Sequence, residues 1–196
     1  SALLCFLLPA AAFAAEDGEK ENLLYNGDFS VNAQSADLPA GWNAASYGEE
    51  DVDIWAYKDE DTGKTIVALQ AGSPNDVRVC QDVTVESDEV YAFSAMVRTN
   101  EVSGGTGASL SIDNYSLDGT YCYSQNLHGT EDWQRVTLYV RTGPEQTTLR
   151  VALRLGGYGT MARGSAYFSD ASLYLAGENV EGTIVNLMTE NGTVSG

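Results

Sequence analysis

The stretch Leu149-Arg150-Val151-Ala152-Leu153-Arg154-Leu155 decides the fold class of this 196-residue chain. Its large apolar residues fall at every second position, which is the period of a β-strand with one buried face. The four large apolar side chains are therefore predicted to point inward. Arg150 and Arg154 then point outward from the same strand.

The same alternation recurs along most of the chain, and turn sequences such as Ser103-Gly104-Gly105 separate the segments. No stretch shows the spacing of an amphipathic helix over three turns. About nine or ten short strands, each apolar on one side, predict an all-β fold in which two antiparallel sheets pack as a β-sandwich. Further predicted inward faces are Val77, Val79, Val83 and Val85 (with Gln81 between them), Tyr91, Phe93, Ala95 and Val97, Ala108, Leu110 and Ile112, and Val136, Leu138 and Val140.

Composition excludes several classes of function. The chain has 28 Asp and Glu against 10 Lys and Arg, a net charge of -18. Such a surface repels phosphate backbones and anionic leaflets, so we expect no nucleic-acid partner. One His and three Cys leave little material for a zinc site or a histidine-based catalytic relay. Catalysis by a carboxylate pair is a weaker alternative, because none of the 28 acids is singled out.

The N-terminal segment has the pattern of a processing signal. The apolar run Leu3 to Ala15 is shorter than the roughly 20 residues of a membrane-spanning helix. Ala12-Phe13-Ala14 fits a small-x-small cleavage site, so residues 1–14 are predicted to be a signal-peptide remnant cut after Ala14. The alternative is a buried amphipathic helix. Cleavage would make the protein secreted or cell-surface, without membrane insertion.

The remaining chain divides into a spacer (15–21), one domain (22–175), and a segment (176–196) that is either a linker or the start of a further domain. Export would leave Cys80 and Cys122 in an oxidising compartment, where a disulfide is permitted. Sequence does not show whether their Cα atoms approach closely enough, so a bridge and two separate thiols both remain open.

An ordered set of motifs carries a family resemblance. It comprises Asn22-Leu23-Leu24-Tyr25-Asn26-Gly27-Asp28-Phe29-Ser30, Leu38-Pro39-Ala40-Gly41-Trp42, Val79-Cys80-Gln81-Asp82-Val83, Tyr91-Ala92-Phe93-Ser94-Ala95, Asp132-Trp133-Gln134-Arg135-Val136, Leu153-Arg154-Leu155-Gly156-Gly157 and Ala166-Tyr167-Phe168-Ser169-Asp170-Ala171-Ser172-Leu173. Over about Asn22 to Leu175 the chain resembles the jelly-roll carbohydrate-binding modules of families four and nine. The resemblance implies a two-sheet jelly roll with no enzymatic activity of its own. It further implies a monomeric module of a larger secreted or cell-surface bacterial protein, such as a glycoside hydrolase.

The resemblance also implies a site. In such modules, outward polar residues on the strands matching 149–155 and 91–97 line a sugar groove, and the partner is a polysaccharide such as a β-glucan or xylan. The ligand-binding residues implied here are Arg150, Arg154, Arg98, Met96, Ser94, Asp113, Tyr115 and Tyr121, with Tyr123 or Tyr158 as further rings. The alternative is that the arginines pair with acids on an exposed sheet. The chain would then be a structural or adhesive domain without sugar binding.

Many of these modules hold a structural calcium ion near their paired termini, which implies Asp28 and Asp170 as ligands here. The ending Phe168-Ser169-Asp170 has lost one acid of the usual Phe-Asp-Asp. The resemblance further implies that Trp42 and Trp133 are core residues. Trp55 and Tyr57 are also predicted to lie in the core.

Overall fold

Eleven strands and no helix make up the regular structure of the described residues, which are 20–32, 38–117 and 120–187 of a computed structural model. The predicted signal peptide lies outside these residues, as do most of the spacer and the segment 188–196. The strands are β1 (Asn43–Ser46), β2 (Val52–Lys58), β3 (Thr65–Asn75), β4 (Val77–Thr84), β5 (Val90–Ser103), β6 (Ala108–Leu117), β7 (Thr120–Tyr123), β8 (Gln134–Arg141), β9 (Thr148–Leu155), β10 (Ala162–Leu175) and β11 (Ile184–Asn186).

The strands form two sheets. One sheet has five strands in the order β1-β4-β9-β6-β7, and the other has six in the order β11-β8-β5-β10-β3-β2. All pairings are antiparallel except that of β11 with β8. The predicted all-β sandwich of jelly-roll type is confirmed.

The core lies between the sheets and is built from the faces predicted by alternation. In the five-stranded sheet, β9 contributes the fully buried Leu149, Val151, Leu153 and Leu155. The six-stranded sheet contributes Phe93 of β5 to the same core. Burying each such side chain stabilises the fold by about 1.5–3 kcal/mol relative to exposure. This core holds the two outer faces at fixed positions relative to each other.

Gln81 is a buried polar residue on the inward face of β4, and its amide is fully used. The side chain accepts from the backbone N–H of Tyr25 at 2.8 Å and donates to the carbonyls of Tyr25 (2.9 Å) and Gly41 (3.3 Å). It thereby fastens the N-terminal segment across one end of the sandwich. Trp42 lies beside it in the core and packs edge-on against Phe29 with ring centroids 5.2 Å apart, so its predicted core position is confirmed.

The predicted core positions of Trp133, Trp55 and Tyr57 are wrong. All three side chains are only partly buried and lie outside the core cluster, on the outer face of the six-stranded sheet. The neighbouring inward residues explain why. Ile54 and Ala56 of β2 pack against the core, so Trp55 and Tyr57 between and beside them must face outward.

Both ends of the described chain join the six-stranded sheet region. The N–H of Leu23 donates to the carbonyl of Leu173 at 2.8 Å. Beyond the predicted boundary at Leu175, β11 pairs with β8, and Leu187 belongs to the core. Residues 184–187 therefore add a strand and a core residue to the sandwich.

Cys80 and Cys122 are both buried free thiols, so the open alternative of two separate thiols is the one observed. Cys80 points outward from β4, whereas Cys122 belongs to the core. Burial raises the pKa of each thiol to about 12, and the nearby Asp113 carboxylate adds to the rise for Cys80. Among the described residues, no helix is long and apolar enough to cross a membrane.

Candidate functional site

The outer face of the five-stranded sheet carries two adjoining clefts that share Arg78 and Asp113 as lining residues. Their volumes are about 290 and 380 Å³. Together they form one depression running over β1, β4, β9 and β6, and we call it the groove. Its residues are Asn43 to Tyr47, Asp76, Arg78, Cys80, Asp82, Asp113, Arg150, Arg154 and Tyr158.

Arg154 forms the centre of the groove floor. It is 3% exposed although it points away from the core, because acidic neighbours enclose its guanidinium. Its Nε and Nη2 donate to both carboxylate oxygens of Asp76 at 2.7 and 2.6 Å, and its Nη1 donates to Asp113 at 2.6 Å. Burial opposes the charge on Arg154, but the bonds to the two carboxylates outweigh it and raise the arginine pKa.

Arg78 closes this cluster into a ring. Its Nε lies 2.7 Å from the second oxygen of Asp113, and its Nη1 lies 3.2 Å from Asp76. Two arginines thus bridge the same two aspartates, and the four charges cancel. Such a pattern of bidentate, charge-assisted bonds fixes the direction of every donor and acceptor in the floor.

The local sequence explains this assembly. In β4 the inward valines alternate with outward residues, which places Arg78, Cys80 and Asp82 in a row on the groove side. The antiparallel register sets Arg78 opposite Arg154 and Asp82 opposite Arg150. The two arginines that face each other would repel, and the aspartates at positions 76 and 113 supply the compensating charge.

Arg150 and Asp82 occupy the other end of the groove. The guanidinium donates to both carboxylate oxygens at 2.7 and 2.9 Å, and each side chain is about half exposed. The hydrogen bonds from Arg150 lower the pKa of Asp82. This pair is accessible to a ligand, unlike the enclosed Arg154.

Two exposed tyrosine rings stand at the Arg154 end. Tyr47 is 71% exposed and Tyr158 is 64% exposed. The backbone N–H of Tyr47 donates to the side-chain oxygen of Asn75 and to the carbonyl of Asp76, which fixes the loop that follows β1. Tyr158 follows Gly156, whose φ of +88° and close approach to the Asn75 carbonyl leave no room for a Cβ atom.

Tyr123 of β7 borders the floor beneath these rings. The guanidinium carbon of Arg154 lies 5.4 Å from the centre of the Tyr123 ring. Burial raises the pKa of the Tyr123 phenol, with Arg154 acting in the opposite direction. The Tyr123 ring is thus a further partner of the Arg154 guanidinium.

The predicted site residues separate into two groups. Arg150, Arg154 and Asp113 lie together in the groove. Ser94, Met96 and Arg98 belong to β5 in the six-stranded sheet and lie on its outer face, on the other side of the sandwich from the groove. One groove therefore does not contain both groups. The side chains of Tyr115 and Tyr121 lie outside the described part of the chain.

Sequence reasoning missed several groove residues. Asp76, Arg78 and Asp82 sit at alternate positions around the predicted inward valines, so the outward side of that strand could have revealed them. Tyr47 carries no such signal, because its place depends on the pairing of β1 with β4.

The two predicted calcium ligands contact other partners. Asp28 accepts hydrogen bonds from the backbone and the hydroxyl of Ser30, and Asp170 accepts from the Lys64 ammonium at 2.5 Å. Calcium takes six to eight oxygen ligands. Among the described residues no three His, Cys, Asp or Glu side chains converge, and the calcium stays a prediction.

No protein-family model and no curated protein sequence matches the chain. Solved structures do match. A family 4 carbohydrate-binding module superposes with a TM-score of 0.53 at 17% identity, covering 78% of this chain and 99% of that one. A family 61 carbohydrate-binding module in complex with β-1,4-galactotriose gives 0.51 at 15%, covering 80% and 99%.

A similar fold is also found in an enzyme. The cyclase FisC from Fischerella sp. TAU, in complex with a pyrrolidinylidene-indole compound, superposes with a TM-score of 0.56 at 14% identity, covering 81% of this chain and 98% of that one. At these identities the comparisons establish that the chain has the jelly-roll fold of carbohydrate-binding modules, and the fold alone leaves the function to be argued from the groove.

Proposed function

We propose that the protein binds a neutral polysaccharide chain in the groove without chemically changing it. The observation that carries this proposal is a fixed, charge-neutral floor of arginines and aspartates beside two exposed tyrosine rings. A sugar ring has apolar C–H faces and a rim of hydroxyls. It therefore needs a flat ring to stack on and immobile donors and acceptors beside it.

The elongated shape of the groove supports a chain rather than a single sugar. The two clefts adjoin, with Tyr47 and Tyr158 at one end and the accessible Arg150–Asp82 pair at the other. Consecutive sugar units could stack at the first end and hydrogen-bond at the second. We infer a β-glucan or xylan as the class of ligand from the family resemblance.

The state of the groove side chains supports binding without catalysis. Asp76, Asp82 and Asp113 each bond to an arginine, whereas glycoside hydrolysis needs two carboxylates that exchange roles as acid and base or nucleophile. The thiol of Cys80, with a pKa of about 12, is protonated at neutral pH and therefore a poor nucleophile.

We extend the proposal to the protein's setting. The predicted signal peptide makes it a secreted or cell-surface module. Binding a glycan would raise the local concentration of an attached partner, such as a glycoside hydrolase, at its substrate.

A second candidate function is a structural or adhesive domain without sugar binding. The observation that favours it is the pairing of all three groove arginines with aspartates. In that case the polar floor would only stabilise the sheet face, and the exposed tyrosines would have no ligand.

Affinity electrophoresis separates the two candidates. The protein is run through gels containing soluble β-glucan, xylan or galactan, beside the double variant Tyr47→Ala/Tyr158→Ala and the control Tyr25→Ala. Tyr25 is 59% exposed but lines neither cleft. Retardation by one polysaccharide that is lost in the double variant and kept in the control supports the proposal. Equal mobility in all gels supports the structural domain.

A further inference from the structure

The outer face of the six-stranded sheet has an aromatic row of its own. The strand register aligns Trp55 of β2 with Ala68 of β3, Ala68 with Tyr167 of β10, and Tyr167 with Arg98 of β5. Trp133 stands just before β8, next to Arg98. Ala68 is fully buried although it points outward, so neighbouring side chains cover it.

Arg98 holds this row in place. Its guanidinium carbon lies 4.4 Å from the centre of the Tyr167 ring and 5.2 Å from that of Trp133. Within the described ranges no carboxylate lies at ion-pair distance from Arg98, in contrast to the three groove arginines. The two rings, together with the Tyr57 phenol that is hydrogen-bonded to Arg98, are thus the partners of this cation.

Beside Trp133 is a small cleft with an apolar floor. It has a volume of about 200 Å³, and Trp133, Met96 and Ile66 form its apolar surface. One wall is the loop between β2 and β3, where Thr62 donates to Asp59 and Lys64 binds Asp170. The rim therefore presents polar groups whose positions are set by contacts within the protein.

We propose that this cleft is a second sugar-binding site, which takes a single neutral sugar unit stacked on Trp133. The rim groups pair with one another, and these pairs hold hydroxyl, carboxylate and ammonium groups at fixed positions beside the apolar floor, which suits the vicinal hydroxyls of a sugar. Asp59 and the net charge of -18 disfavour an anionic ligand. The ligand class rests on the proposed function of the groove, but the site and its residues are separate from it.

Trp133 itself reports on binding. The test uses the full chain with Trp55→Phe, because Trp42 is buried and the partly buried Trp133 is then the one indole that a ligand can reach. The groove is disabled by Tyr47→Ala/Tyr158→Ala, so that a signal comes from the second site alone. Fluorescence is recorded during titration with glucose, xylose, galactose and mannose, and with indole as a non-sugar probe.

We expect a saturable change with at least one sugar. In a chain that also carries Met96→Phe, which fills the cleft and keeps Trp133, the apparent affinity should fall by about tenfold or more. Met161→Phe is the matched control, since Met161 is also partly buried but does not line the cleft. It should leave the titration unchanged.

Three results would overturn the proposal. In the first, the chain with its groove intact is retarded in polysaccharide gels, but the groove-disabled chain shows no saturable change with any sugar. This result would reject the second site and leave the function of the groove intact. Saturation with indole alone would show that the cleft takes an aromatic ligand instead. A sugar response that survives Met96→Phe would also reject this location.

Discussion

Replacing Arg154 by methionine tests the groove floor most directly. The change keeps much of the side-chain length but removes the hydrogen bonds of the guanidinium, among them two to Asp76, one to Asp113 and a longer one to Ser111 at 3.5 Å. Both carboxylates are less than 10% exposed, so they would remain buried with reduced compensation. Removing one partner of a buried ion pair typically costs about 3–5 kcal/mol.

Arg78 sets where in this range the result should fall. It contacts both aspartates and would still neutralise part of their charge. We therefore expect the free energy of unfolding to drop by about 3 kcal/mol, at the lower end of the range. For a chain of this size the melting temperature should fall by about 6–12 °C.

Urea unfolding followed by circular dichroism measures this loss. The matched control is Arg150→Met, because its pair with Asp82 is half exposed and should contribute only about 0–1 kcal/mol. Arg154→Lys keeps the charge but not the bidentate geometry, so its stability should lie between those of the wild type and Arg154→Met. If Arg154→Met and Arg150→Met lose the same free energy within error, the floor is not the buried network described above.

Three further predictions concern the two buried thiols, the Gln81 amide and the Arg150–Asp82 pair. In a folded Cys5→Ser chain at pH 8, Cys80 and Cys122 should resist Ellman's reagent, because both thiols are buried and have pKa values of about 12. Both should react after unfolding in urea. Rapid labelling of the folded protein would contradict this prediction. Gln81→Ala should lower the free energy of unfolding by about 1–3 kcal/mol, because it leaves the backbone groups of Tyr25 unpaired. The control Gln70→Ala, at an exposed position, should change it by less than about 0.5 kcal/mol. Equal effects of the two substitutions would show that Gln81 is not structural. Because the pKa of Asp82 is lowered in the folded state, its contribution to folding stability should be present above its unfolded pKa and be lost as pH falls through its folded pKa. The difference in stability between wild type and Asp82→Asn should therefore close on acidification. A difference that widens would refute the pairing with Arg150.

Strand faces could be predicted from the sequence because alternation is a local property. The inward face of β9 and that of β5 followed directly from the spacing of their apolar residues. The same parity argument was available for Trp133. It stands three positions before Val136, which is inward, so it must lie on the opposite face of an extended chain. The family resemblance suggested the core instead, and the parity of this segment overrode it.

The candidate site was predictable only in part, because strand order is not local. Arg150, Arg154 and Asp113 meet since β4, β9 and β6 are neighbours in one sheet. Met96 and Arg98 show equally good outward parity, but β5 belongs to the other sheet. Neither the composition nor the spacing of a strand tells which sheet it joins. That choice depends on the packing of the whole core.

The neutrality of the groove floor has a consequence for work in solution. Arg78, Arg150 and Arg154 balance Asp76, Asp82 and Asp113, so the net charge of -18 lies entirely outside the floor. Salt screens this distant charge much more than the enclosed pairs. An uncharged glycan should then bind equally well at low and high ionic strength, whereas an acidic one should bind better as salt is added. Sodium chloride alone would distinguish the two kinds of glycan, with no substitution in the protein.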